Sequence, residues 1–155
     1  MKLSNNFSLK EMTTSQTAER KGINNTPNEG QILELTKLCG NILQPIRNHY
    51  DTPVTISSGF RSEKLCVAIG SSVNSQHAKG QAADFEIFSL SNSELAKWII
   101  ENLDFDQLIL EYHNIGEPNS GWIHCSYKSP ADNRKQTLRA FRNEQGKTQY
   151  AEYNA

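Results

Sequence analysis

The decapeptide SQHAKGQAAD, residues 75–84, places His77 and Asp84 on either side of Gly80. Asp84 also lies near the start of the apolar segment AADFEIF (82–88), which has the composition of a buried strand. A surface turn followed by a strand is one interpretation. However, an unpaired buried carboxylate is costly, so Asp84 in such a strand needs a partner. The stricter hypothesis is that His77 and Asp84 hold the same ion.

Of the four histidines, one more lies in surroundings that favour a function. His124 is in the middle of an apolar strand pattern, and alternation places it on the same face as Trp122 and Ser126. We predict that His49 is structural, because it ends a long helix, where a positive charge is favourable. We predict that His113, in a polar loop, faces solvent.

His77, Asp84 and His124 together form a workable ligand set for zinc. A single histidine in a strand is more often a hydrogen-bonded core residue than a ligand, but Asp84 strengthens the case for His124. Two imidazoles and one carboxylate leave the fourth position open for water, as in catalytic zinc sites. Closed structural sites use four protein ligands.

Size and composition limit the alternatives. A chain of 155 residues fits one domain, and 16 basic against 17 acidic residues give a net charge of −1. No clustered basic excess indicates a nucleic-acid partner, and no apolar stretch suits a signal peptide or a membrane span. We therefore expect synthesis in a cytoplasm, no membrane partner and a monomer. The three cysteines lack CxxC spacing, which predicts buried thiols.

The hydrophobic pattern predicts one α+β domain over residues 1–155, with a central antiparallel sheet flanked by helices. Segment 14–28 is predicted to be a loop, and the polar tail 143–155 to fray. Predicted helices begin near residue 9, at Thr26–Glu29 (with Thr26 as the cap, Pro27 first, and an end near His49), within 61–70 and after Ser91. Predicted strands lie within 53–60, 82–88, 106–111, 121–127 and 136–142.

Three ordered motifs resemble the M15-type zinc peptidases. They are SGFRS (58–62), SQHAKGQAADF (75–85) and WIHCSY (122–127). That group includes D-alanyl-D-alanine carboxypeptidases and phage endolysins that cut peptidoglycan stem peptides, with a fold shared by the hedgehog signalling domain. The matching positions are Ser75, His77, Gly80, Ala82 and Asp84 in the second motif, then Trp122, His124 and Ser126 in the third.

The resemblance implies roles for individual residues. His77, Asp84 and His124 are implied as zinc ligands, and Arg61 as the positive charge beside the oxyanion of the attacked carbonyl. Without that context Arg61 is simply a solvated residue at a helix start. The remaining motif residues are assigned to substrate binding: Ser75, Trp122 and Ser126.

The resemblance identifies the general base less directly. Several family members carry a glutamate three residues before the last zinc histidine, where this chain has Gly121. Others place it at the end of the preceding strand, which Glu111 matches. If Tyr112 pairs with Gly121, Glu111 lies opposite Trp122 and shares the face of His124; a shift of one residue would reverse this. Glu117, in the loop, is the competitor.

The resulting prediction is a zinc peptidase acting on peptidoglycan peptides. We expect a phage enzyme, made without a signal peptide, that acts on the cell wall of the infected host after release. The D-Ala–D-Ala terminus, a D,D cross-link and the L-Ala–D-Glu bond all remain open as the bond cut. Two alternatives are a zinc-binding recognition module without activity and a metal-free virion or interaction component.

Overall fold

The computed structural model describes all 155 residues. Six helices and six strands make up the fold, with one π-helical and one 3₁₀ segment. The helices are α1 (Leu9–Thr13), α2 (Gln16–Lys21), α3 (Glu29–Leu38), the π-helix Cys39–Leu43, α4 (Gln44–Tyr50), α5 (Glu63–Ala68), the 3₁₀ helix Gln76–Lys79 and α6 (Asn92–Asn102). The strands are β1 (Thr55–Ser58), β2 (Ala82–Glu86), β3 (Gln107–Glu111), β4 (Trp122–Ser126), β5 (Gln136–Arg142) and β6 (Thr148–Glu152).

The strands form a single sheet in the order β1-β2-β4-β3-β5-β6. Four of its five pairings are antiparallel, and β3 pairs in parallel with β5. The sheet is therefore mixed rather than wholly antiparallel, because the chain crosses over between β4 and β5. The single α+β domain predicted from the sequence is confirmed. No helix is both long and apolar enough to cross a membrane.

The helical run before β1 starts and continues differently from the prediction. Asn28, not Thr26, caps α3: its side chain accepts a hydrogen bond from the Gln31 backbone N–H, and the Gln31 side chain accepts one from the Asn28 N–H, each at 2.8 Å. Glu29 is the first helical residue and has no part in this capping box. The π-helix then joins α3 to α4 without a break. The predicted apolar face is confirmed, since Leu35 and Ile46 are fully buried.

Two segments predicted to be irregular are ordered. The predicted loop 14–28 contains α2, because the Ser15 hydroxyl accepts a hydrogen bond from the Ala18 N–H and Gly22 ends the helix at a φ of 64°. The predicted frayed tail contains β6, which pairs with β5 along its whole length. Backbone pairing, rather than apolar side chains, orders this polar strand. The three cysteines are buried free thiols, as predicted.

Asp106, just before β3, joins several parts of the fold. Its carboxylate is fully buried and accepts hydrogen bonds from the Arg134 side chain at 2.8 and 2.9 Å and from the Gln76 side chain at 3.0 Å. Burial raises the pKa of Asp106, but the hydrogen bonds from Arg134 and Gln76 outweigh this effect and lower it to about 2. This carboxylate therefore fixes the 3₁₀ helix to the start of β3.

Replacing Arg134 with alanine tests this linkage. The variant leaves a buried carboxylate with fewer donors, so we expect the free energy of unfolding to fall by about 2 kcal/mol at pH 7. The folded pKa of about 2 lies below the ordinary value of 3.8, so the unfolded state binds more protons between these pH values. The stabilisation is thus complete above about pH 4 and disappears as the pH falls through about 2.

Urea denaturation of the parent and Arg134→Ala proteins between pH 2 and 7 measures this effect. Arg20→Ala, on the exposed side of α2, is the matched control and should change little. A parent–variant difference that stays the same at every pH would show that Asp106 does not contribute in this way.

Candidate metal centre and its cleft

Two of the candidate ligands are cross-strand partners. Asp84, in the middle of β2, pairs with His124, in the middle of β4. Cross-strand partners share a face of the sheet. The His124 Nδ1 atom therefore lies 2.9 Å from Asp84 Oδ1. Sheet register alone thus brings together an imidazole and a carboxylate that are forty residues apart.

His77 reaches the same carboxylate from outside the sheet. It lies in the 3₁₀ helix, whose first turn is capped by the Ser75 hydroxyl and which ends at Gly80, with a φ of 75°. The His77 Nδ1 atom lies 2.7 Å from the Gly59 carbonyl oxygen, which can only accept, so Nδ1 carries the proton. The Nε2 lone pair is then free, and Nε2 lies 3.3 Å from Asp84 Oδ1.

These three side chains fit a zinc ion. One ligand atom from each of His77, Asp84 and His124 lies within 4.8 Å of the other two. Ligand atoms around tetrahedral zinc are about 3.4 Å apart, given bond lengths of about 2.1 Å. Two nitrogens and one oxygen suit zinc chemically, and three protein ligands leave one coordination position open. The Asp84 carboxylate contacts both imidazoles, so the three side chains converge on the point where one ion would bind.

The charge of Asp84 is maintained by its neighbours. Burial raises the pKa of this carboxyl, but its interactions with His124 and His77 outweigh burial and hold the pKa well below its usual range. Arg61 adds an ion pair, with Nη2 3.2 Å from Asp84 Oδ2, and its Nε donates to the Ser58 hydroxyl at 2.8 Å. Asp84 is therefore an anion at neutral pH, as a metal ligand must be.

Glu111 lies in the cleft of the candidate site. The observed pairing places it opposite Trp122, the register on which the prediction depended. It lines a cavity of about 540 Å³ together with the three candidate ligands and Arg61. Burial raises the pKa of Glu111; the negative charge of Asp84 adds to this, while the neighbouring His124 and Arg61 side chains oppose it.

Gly121 explains why the glutamate is not three residues before His124. Its φ is 70°, and a Cβ atom there would collide with the Glu111 carbonyl oxygen. A side chain at this position is therefore excluded on two grounds. The backbone geometry favours a base on the other strand of the hairpin, where Glu111 lies.

The competing candidate for the general base, Glu117, lies in the β3–β4 loop and does not line the cleft. Glu117 is exposed, and its carboxylate accepts a hydrogen bond from the Asn114 side chain at 2.9 Å. His113, predicted to face solvent, is instead buried, and its Nδ1 lies 3.1 Å from the Ser120 carbonyl oxygen. This histidine is part of the packing beneath the loop, because the loop folds back on itself.

The three predicted substrate-binding residues occupy different places. Trp122 lines the cleft beside Glu111, and Ser75 lines it while capping the 3₁₀ helix. The structure does not bring Ser126 to the cleft: its side chain is fully buried, and its hydroxyl accepts a hydrogen bond from the Gln107 N–H at 3.0 Å. Alternation gave Ser126 the correct face but not the depth at which it lies.

Several residues that support the site were not identified from the sequence. Gln76 and Asp106 position the 3₁₀ helix, and the Asn25 side chain donates to the Thr13 and Phe60 carbonyl oxygens. Asp106 carried a usable signal, since it is a carboxylate at the start of the apolar segment DQLILE (106–111). Asn25 lies in a polar segment where an asparagine is ordinary.

Fold and site together describe an α+β domain in which two histidines and an aspartate could hold one metal ion, in a cleft that also contains the Glu111 carboxylate. The family model Peptidase M15 matches residues 5–126. The chain belongs to the Peptidase M15 family, whose members are typically zinc-dependent metallopeptidases. A search of curated proteins gave no match.

Loss of the Asp84 charge should abolish metal binding. We expect the parent to retain one zinc ion per chain after dialysis into metal-free buffer, and Asp84→Asn to retain none, because two imidazoles alone hold zinc weakly. Metal analysis measures this. The melting temperature, which bound zinc raises, gives a second readout.

Asp51→Asn is the control, because the Asp51 side chain is 94% exposed at the end of α4. It should bind zinc as the parent does. Stoichiometric zinc in folded Asp84→Asn protein would rule out the ligand set.

Proposed function

We propose that the protein is an active zinc-dependent hydrolase of peptidoglycan stem or cross-link peptides, either D-Ala-D-Ala carboxypeptidase-like or L-Ala-D-Glu endopeptidase-like. Family membership supports a metallopeptidase acting on peptidoglycan peptides in general. The observation that carries the proposal of activity is the position of Glu111, in one cavity with all three candidate ligands. A module that only binds metal has no need of a half-buried carboxylate there.

The candidate ligands would hold the metal through His77 Nε2, a ring nitrogen of His124 and the Asp84 carboxylate. A zinc ion bound there would supply Lewis-acid activation of water and of the scissile carbonyl. The hydrogen bond from His77 Nδ1 to Gly59 keeps the imidazole in the tautomer that binds metal. This hydrogen bond orients the His77 imidazole independently of a bound ion.

Glu111 is the proposed general base. It accepts the proton of the attacking water and delivers it to the leaving amine, a role that requires it to be ionised at the start of each cycle. A pKa raised by burial makes the Glu111 carboxylate a stronger base than an exposed glutamate.

Arg61 is the proposed oxyanion-stabilising residue. Its guanidinium is held between the Ser58 hydroxyl and the Asp84 carboxylate, with 17% of its side chain exposed. A fixed positive charge costs no reorganisation when negative charge develops on the carbonyl oxygen. Because the same group pairs with Asp84, it also holds that ligand in place.

We further propose a monomeric phage lysis enzyme that reaches the host wall after release. The support is the resemblance of the N-terminal segment FSLKEM (7–12) to small phage-encoded members of the family. Mass spectrometry of products from defined muropeptides would identify the bond that is cut.

Glu111→Gln is the decisive variant for catalysis. We expect it to retain zinc and lose hydrolysis of purified peptidoglycan by about 10³-fold, because the amide cannot accept the proton. Glu117→Gln, in the same hairpin, should keep parental activity. A parent that binds zinc but cleaves no peptidoglycan would instead indicate a recognition module.

The pH dependence follows from the same residue. Protonated Glu111 cannot act as a base, so kcat/KM should fall as the pH decreases through its pKa, which lies above the ordinary value of 4.5. Metal analysis at each pH separates this effect from loss of zinc. An acidic limb that remains unchanged in residual Glu111→Gln activity would assign the titration to another group.

Arg61→Lys tests the fixed guanidinium. Lysine keeps the charge but lacks the planar fork through which Arg61 donates to both Ser58 and Asp84. We therefore expect kcat to fall about 10²-fold with zinc retained. Steady-state kinetics measures this. Unchanged kcat in Arg61→Lys would contradict the assigned role.

A further inference from the structure

The cleft of the candidate site has an aromatic wall, formed by Tyr112, Trp122 and Tyr150. The Tyr112 and Trp122 rings are in contact, with centroids 5.5 Å apart and planes inclined at 43°. Tyr150 differs from the other two, because 57% of it is exposed although it lines the cavity of the catalytic candidates. An exposed ring at this place leaves one aromatic face free.

The position of Tyr150 is fixed by the sheet. Tyr150 pairs with Ala140 of β5, and β5 pairs in parallel with β3, the strand that ends at Glu111. A hydrogen bond of 2.8 Å between the Tyr112 and Thr148 hydroxyls ties β6 to the end of β3. The ring is close enough to Glu111 that, after burial, the charge of Glu111 is the next cause raising the pKa of the Tyr150 phenol.

Tyr150 also lies outside the segment that matches the family model. The match ends at residue 126, before both β5 and β6. The segment that matches the family model contains the three candidate metal ligands, but not β6, which completes this side of the cleft. This hairpin is therefore an addition to the site supplied by the rest of the chain.

We propose that Tyr150 is a substrate-contacting specificity residue, whose ring packs on the amino-acid residue next to the scissile bond. This inference depends on the proposed function for the identity of the substrate as a peptidoglycan peptide. A ring beside Glu111 meets the part of the substrate nearest the reacting carbonyl, which is peptide rather than glycan. Aromatic faces suit the flat amide groups and methyl side chains of alanyl residues.

Binding, measured without turnover, tests the proposal. Zinc-loaded Glu111→Gln protein is titrated calorimetrically with a stem pentapeptide, alone and with Tyr150→Ala, Tyr150→Phe or Gln149→Ala added. We expect the Kd to rise about tenfold for Tyr150→Ala and to change less than about twofold for Tyr150→Phe, which keeps the ring. Gln149→Ala is the control, since alternation turns Gln149 to the opposite face of β6.

Two results of this titration would contradict the proposal. Equal affinity in Tyr150→Ala overturns the proposal, and so does a loss seen only with disaccharide-linked peptide, because the ring would then bind glycan. If the alanine variant does not fold, Tyr150→Leu removes the ring while keeping bulk. If the parent cleaves nothing but its peptide affinity depends on Tyr150, catalysis fails and this inference stands.

Discussion

Asp84 carries a negative charge in the middle of a sheet, where 7% of the residue is exposed. Such a charge is tolerated only when donors or a metal surround it. Here Arg61 and His124 contact the carboxylate as donors, and the His77 imidazole lies beside it, so three separate segments surround Asp84. Because Arg61 and His124 are distant from Asp84 in the sequence, the carboxylate is satisfied only when these parts of the domain are assembled. The requirement of one buried anion therefore links the fold to the site.

The surroundings of the site hold these segments by backbone contacts rather than by apolar packing alone. The Gly59 carbonyl orients His77, and a Cβ atom at Gly59 would collide with the Met12 carbonyl oxygen. The tight approach of α1 thus sets the position of a ligand that lies far away in the sequence. A second buried carboxylate, Asp106, holds the other side of the same 3₁₀ helix through Gln76. Two buried anions therefore position the imidazole of His77, one of the three candidate metal ligands.

Sequence patterns predicted those parts of the molecule that depend on alternation and local capping. The face shared by Glu111 and His124 follows from the assumed hairpin register, which the pairing of Glu111 with Trp122 confirms. The motifs selected His77, Asp84 and His124, which the structure brings together. The patterns did not predict β6, whose polar residues are ordered by pairing with an existing edge strand. Nor did they reveal that His113 is buried, because burial in a loop depends on where the loop folds back. Ser126 was predicted to bind substrate, but the pattern did not reveal that its side chain is fully buried.

The relation between Gly121 and Glu111 shows how the backbone limits where a carboxylate can lie in the cleft. The chain turns into β4 with a positive φ at Gly121, so close to the preceding strand that no side chain fits. A carboxylate cannot occupy that position, but Glu111 pairs with the next residue, Trp122. Glu111 lies on the face of His124, because it is the partner of Trp122 and cross-strand partners share a face. The constraint lies in the face and its distance from the candidate ligands, and in this chain β3 satisfies it where the Gly121 position cannot.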